Sequence, residues 1–189
     1  EAGKVVGDPT EGALLVLAHK AGLDIEGTRG DAPRLATLPF DPTYKLMARF
    51  TQAKDASGKP VVRCFVKGAA PAVMDRVTTA LSGGKSIPKT DDLSQRAQTN
   101  VARMGEAGLR VMASAYRDLD PAQFDPDGDL LGHIHDLEMT SLVAMVDPPR
   151  EESKEAVANA QRAHIRVRMV TGDDVVTGAA IAKQLGIDG

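Results

Sequence analysis

The chain of 189 residues has no tryptophan, a single cysteine, and aromatic residues amounting to only 3% of its length. Cys64 stands alone, which rules out an internal disulfide and a cysteine-rich zinc site and suits a reducing compartment. With so few rings, the core must be built from Val, Leu, Ala and Met. A net charge of -3 leaves no basic surplus to grip the phosphates of a nucleic acid, so none is expected as a partner. The longest apolar run, residues 13–18, falls far short of the roughly 20 residues that cross a bilayer. No charged segment followed by an apolar stretch opens the chain, so neither a signal peptide nor direct membrane contact is expected. The abrupt ends at Glu1 and Gly189 predict a soluble piece of a longer protein.

What is present is enough apolar content, 42%, for one large domain or one and a fraction. Asp8-Pro9-Thr10-Glu11 predicts a helix start, with Asp8 as cap, Pro9 in the first turn and Glu11 three residues after the cap; Gly22 ends that helix. Residues 34–40, 45–51 and 61–67 read as strands, the last two joined as a hairpin by the turn formers of residues 54–59. On the pleat, Leu46, Ala48 and Phe50 share one face with the core, and Lys45, Met47 and Arg49 share the other. Val62, Cys64 and Val66 alternate likewise with Arg63, Phe65 and Lys67, so Lys45 and Lys67 project from the same side if the register permits. A short helix over residues 71–77, a polar loop through Ser82-Gly83-Gly84 and a helix over 93–104 ending at Gly108 come next. Residues 109–116 read as a strand, 118–136 as a surface loop rich in Asp, Pro and Gly, and 142–146 as a short buried strand.

After Pro148-Pro149 the pattern changes to a helix over 151–163, an apolar strand over 165–170 and a helix over 177–185, an order that suits a parallel sheet. This places a domain boundary at the prolines, with domains at 1–146 and 147–189.

Several residues are candidates for chemistry. Thr171-Gly172-Asp173 closes a predicted strand and opens a helix, either as a phosphate cradle of outward amides or simply as a capped turn. Asp173 suits a ribose hydroxyl or a hydrated magnesium ion. Lys67-Gly68-Ala69 ends a strand with a cation and two small neighbours that admit a ligand close to the backbone; taken alone it reads more readily as a surface lysine before a turn. Phe40 follows Pro39 and precedes Asp41-Pro42, so its ring either offers a base a stacking surface or tucks back into the core. Glu11 serves the capping box or accepts from an adenine amino group, and Arg110 reaches phosphate or solvent. Cys64 falls on the core face and is expected to be inert, while His133 and His135 have no third metal ligand nearby in sequence.

In order along the chain, Gly7-Asp8-Pro9-Thr10-Glu11, Phe40 with Lys45 and Met47, Lys67-Gly68-Ala69, Gly108-Leu109-Arg110, Asp147-Pro148-Pro149-Arg150 and Met169-Val170-Thr171-Gly172-Asp173 resemble the P-type cation-transporting ATPases, most closely their calcium-pump-like branch with its bacterial members. The resemblance implies an α/β chain. Its first part is an α+β nucleotide-binding (N) domain, an antiparallel sheet flanked by helices, followed by part of a Rossmann-like haloacid-dehalogenase segment of the phosphorylation domain. It implies that adenine stacks on Phe40, that Glu11, Lys45, Met47, Lys67, Gly68 and Ala69 line the pocket, and that Arg110, Arg150, Thr171, Gly172 and Asp173 lie toward the phosphates. ATP with Mg2+ is the implied ligand, and the implied partners are the remaining phosphorylation, actuator and transmembrane domains of a pump, this part lying on the cytoplasmic side. The family's Asp-Lys-Thr-Gly-Thr nucleophile motif and its Gly-Asp-Gly-x-Asn-Asp magnesium motif have no match here, nor do its earliest N-domain strands. Ala70-Pro71 and Asp174 also depart from the family pattern. The expectation is ATP binding without turnover. The rivals are a haloacid-dehalogenase-type phosphatase and an interaction domain that keeps the fold without the nucleotide.

Overall fold

The computed structural model describes residues 9–146, 149–172 and 175–187. Asp8, the Asp147-Pro148 pair, Asp173 and Asp174 lie outside them. Helix α1 (Pro9–Lys20) starts on its proline, and Gly22 (φ 76°) ends it: the Gly22 N–H donates to the His19 carbonyl and the Leu23 N–H to that of Ala18. This paired closure needs a left-handed residue, which glycine supplies without strain. A short α2 (Ile25–Gly30) leads into strands β1 (Arg34–Asp41), β2 (Leu46–Lys54) and β3 (Pro60–Ala69). The β2–β3 hairpin is closed by Asp55, whose carboxylate accepts from the N–H groups of Ser57 and Lys59 at 2.8 and 2.9 Å.

Helix α3 (Ala70–Met74) is followed by β4 (Val77–Ser82) and β5 (Lys85–Pro88), which form a hairpin where only a polar loop is expected from the sequence. Gly83 and Gly84 both have positive φ, the two-residue connection whose twist matches antiparallel strands. Helix α4 (Asp91–Glu106) is capped by the Thr90 hydroxyl accepting from the Leu93 N–H, and leads to β6 (Arg110–Leu119). Two 3-10 turns, at Pro121–Gln123 and Leu131–His133, carry the chain to β7 (Leu137–Met145).

The seven strands lie in the order β1-β2-β3-β6-β7-β4-β5. The expected antiparallel sheet is therefore mixed, because β4 runs parallel to β7. The β4–β5 hairpin docks on the free edge of β7, and the Leu137 N–H donates to the Arg76 carbonyl where the two parallel strands begin. On one face Leu46, Ala48, Phe50, Val62, Cys64 and Val66 are buried, as the alternation predicts. They pack beneath Val73 of α3, Ala97 of α4 and, from the 120–136 segment, Ile134 and Phe124.

The last part holds α5 (Glu151–Arg162) and α6 (Val175–Gln184). The strand expected over 165–170 is not formed, and no Rossmann-like arrangement is seen among the described residues. Ile165 and Val170 are exposed, Val170 to 96%. A strand is held by hydrogen bonds to a neighbour, and no described strand pairs with this stretch. Helix α6 packs instead on the end of α4, where the buried Thr177 hydroxyl donates to the Leu109 carbonyl at 3.4 Å. No helix among the described residues is long and apolar enough to cross a membrane.

Candidate nucleotide site

The site is built on the sheet face opposite the core. In the β2–β3 register Met47 stands opposite Lys67 and Leu46 opposite Gly68, and in the β3–β6 register Lys67 stands opposite Ser114. Met47, Lys67 and Ser114 therefore form one cross-strand row on that face. Residues two apart on a strand share a face, so Arg110, four positions before Ser114, lies on the same side nearer the rim.

Helix α1 reaches this face with its first turn. Glu11 pairs with the Lys67 ammonium, and the Arg110 guanidinium donates to the Thr10 hydroxyl at 2.9 Å. Glu11 thus acts across the fold rather than only within its own helix. Thr10, not singled out among the candidate residues, joins the candidate site through Arg110; its signal in the sequence is its place in Gly7-Asp8-Pro9-Thr10-Glu11.

Lys45 is not in a strand: it has φ 53° and occupies the β1–β2 turn. The turn is set by Asp41, whose carboxylate accepts from the Thr43 N–H at 2.6 Å and whose carbonyl accepts from the Lys45 N–H at 2.8 Å. The Thr43 side-chain hydroxyl, then that backbone N–H, hold the Asp41 carboxyl below its ordinary pKa. The Lys45 carbonyl in turn accepts from the Ala69 N–H at 3.0 Å, so Lys45, Gly68 and Ala69 meet through the backbone. Gly68 is required by that approach: a Cβ there would lie 2.4 Å from the Lys45 oxygen. Phe40, the last residue but one of β1, stands beside this turn with 61% of its surface exposed, which decides against its being tucked into the core.

Eight of the sequence-picked residues, Glu11, Phe40, Lys45, Met47, Lys67, Gly68, Ala69 and Arg110, gather around one end of β1, β2, β3 and β6. The others lie elsewhere in the chain. Arg150 is the exposed residue at the start of α5, and its carbonyl accepts from the Ser153 N–H. Thr171 lies against Gly178 of α6, Gly172 is exposed, and Asp173 is outside the described residues.

Farther along the same face, Arg63 forms a bidentate pair with Asp118 and sits 5.1 Å over the Tyr116 ring, whose hydroxyl donates to Glu138 at 2.9 Å. Burial, with that hydrogen bond second, raises the Tyr116 pKa, and the hydrogen bond to Asp118 raises that of Arg63. On the core face, burial pushes the Cys64 thiol up to about 12. Native protein is therefore expected to resist an aromatic disulfide reagent at about pH 8, with labelling appearing only on unfolding. The raised folded value also sets a sign: the unfolded thiol ionises first, so stability is lost as pH climbs from about 9 toward 12. A Cys64→Ala variant should lose that alkaline dependence in urea titrations.

A family model described as "P-type ATPase, cytoplasmic domain N" matches residues 1–152. Calcium-transporting ATPase 1 of Lactococcus lactis is 35% identical over 185 residues, covering 98% of this chain and 20% of that protein. Cation-transporting ATPase pma1 of Synechocystis is 38% identical over 184 residues, covering 97% of this chain and 19% of that protein. The human calcium-transporting ATPase type 2C member 1 is 38% identical over 183 residues, covering 97% and 18% respectively. The chain belongs to the P-type cation-transporting ATPases, and its residues 1–152 match their cytoplasmic N domain. It spans 18–20% of the length of these relatives.

Proposed function

We propose that this chain holds ATP for phosphoryl transfer to an aspartate outside it, as part of a membrane pump that moves cations. The observation that carries the proposal is the alignment by α1 of two cations on one sheet face, Lys67 through Glu11 and Arg110 through Thr10, with the exposed ring of Phe40 near the end of β1, beside the turn that Lys45 occupies. These groups fit a nucleotide. The ring stacks a base, Glu11 accepts from an exocyclic amine beside Lys67, and the fork of Arg110 donors faces the anionic tail. Mg2+ would arrive with the nucleotide and neutralise phosphate charge, its remaining ligands lying outside this chain. The calcium and cation transport named for the relatives supports the pump assignment. On the same reading, residues from 147 onward belong to the phosphorylation domain, where Arg150, Thr171, Gly172 and Asp173 would serve the transferred group. The remaining phosphorylation, actuator and transmembrane domains would be the partners.

Titration of ATP by calorimetry or NMR tests this, since no tryptophan reports binding. Phe40→Ala should bind about fivefold to a hundredfold more weakly, the equivalent of about 1–3 kcal/mol of base–aromatic stacking, with its unfolding midpoint unchanged. Lys67→Ala should lose about tenfold or more, because a charge-assisted contact goes and Glu11 is left without its cation. No phosphate should be released from ATP. Binding that both variants retain in full would overturn the site.

A further inference from the structure

Three buried polar side-chain atoms have no hydrogen-bond partner among the described residues: Thr37 Oγ1, Arg49 Nε and Thr51 Oγ1. They are neighbours. Thr37 stands directly opposite Arg49 in the β1–β2 register, and Thr51 is two residues farther along β2 on the same face. That face carries Met47, two residues before Arg49, and so Arg49 lies one cross-strand row deeper than Met47 and Lys67. Phe65, opposite Arg49 on β3, contributes a half-exposed ring to the same row. Among the described residues no carboxylate pairs with Arg49, whereas the next arginine on this face, Arg63, is held by Asp118. A cluster of buried polar atoms left unpaired is costly, and it calls for an occupant.

We propose that Arg49, backed by Thr37, reads the base: its guanidinium donates to a ring nitrogen of the purine. The inference rests on the nucleotide reading of this face and deepens it. Position selects the base over the phosphates. Arg110 lies four residues from the Lys67 row toward the rim, about 13 Å along the strand, and Arg49 lies two residues the other way, about 7 Å. A ligand whose anionic tail meets Arg110 therefore presents its opposite end to Arg49. Chemistry selects the atom. Arginine has donors only, so its partner must be an acceptor, and the purine acceptors beside the amine that Glu11 would take are the ring nitrogens N1 and N7. The Thr37 hydroxyl both donates and accepts and can orient the guanidinium.

The test is titration of ATP, 1-deaza-ATP, 7-deaza-ATP and tripolyphosphate into the 189-residue chain and into Arg49→Met, with Arg49→Gln alongside and an unfolding curve for each. The wild-type chain should bind ATP at least about tenfold more tightly than one of the two deaza analogues, the expected effect of one charged hydrogen bond. Arg49→Met should not discriminate that analogue from ATP and should keep its tripolyphosphate affinity. Its stability should hold or rise, because a buried unpaired donor is removed. Equal binding of ATP and both analogues by the wild-type chain overturns the proposal without recourse to any variant, and assigns the orphaned atoms to water. Unaltered ATP affinity in Arg49→Met overturns it too, leaving the nucleotide site standing. A wild-type chain that binds no ATP overturns the nucleotide reading itself.

Discussion

Gly68→Ala should unfold at markedly lower urea, losing about 3 kcal/mol, and should bind ATP at least about tenfold more weakly. The physical cause is a collision with main chain. A methyl group at Gly68 would lie 2.4 Å from the Lys45 oxygen and 2.7 Å from the Leu46 Cα, and neither can swing aside as a side-chain tip would. Leu46 pairs with Gly68 across the β2–β3 ladder, and the Lys45 carbonyl takes the Ala69 N–H, so the new Cβ must push both strands apart where they carry the site. Lys45 and the Met47–Lys67 pair flank that point, which is why affinity falls along with stability. For a chain of this length the loss corresponds to a melting temperature lower by about 6–12 °C. An alanine variant with an unchanged urea midpoint would show that the hairpin end opens freely, contrary to the tight approach.

Phe50→Ala should cost about 3–5 kcal/mol, the range for emptying a buried ring site. Phe50 is fully buried and stacks on Phe124 at 5.1 Å between centroids, with the His133 ring edge-on at 6.3 Å. Phe124 and His133 come from the irregular 120–136 segment, so the stack fastens that segment to the sheet. The Phe50→Ala and Phe124→Ala losses should fall short of additivity by about 0.5–1.5 kcal/mol, since either change alone breaks the shared stack. Phe65→Ala, on the other face with 47% exposure, should stay within about 0.5 kcal/mol of wild type. A Phe65→Ala loss as large as that of Phe50→Ala would invert the two faces assigned to the sheet.

These contrasts mark how far the residues could be read in order. Alternation assigned Leu46, Ala48, Phe50, Val62, Cys64 and Val66 to the core face and Lys67 to the other, because side chains alternate with a period that needs no knowledge of neighbours. Helix ends at Gly22 and Gly108 were legible for the same local reason. The β4–β5 hairpin was missed although Gly83-Gly84 between short apolar stretches is a turn signal; its strands are short and half exposed, so their pattern is faint. The 118–136 segment looked like surface because Asp, Pro and Gly dominate it, yet Phe124, Leu130 and Ile134 are the few residues that decide its packing.

By itself the sequence determined most of the local elements and the two faces of the central hairpin, and it supplied the candidate residues on which the nucleotide proposal draws. Only the tertiary structure decided which of them meet. The register places Met47 against Lys67, α1 brings Thr10 and Glu11 to Arg110 and Lys67 across gaps of 100 and 56 residues, and the turn at Asp41 moves Lys45 out of the strand. Tertiary structure also denied the strand over 165–170, because an apolar run becomes a strand only when a neighbour supplies the other half of each hydrogen bond. Period and capping are properties of a few consecutive residues; a site is a property of pairings between distant ones.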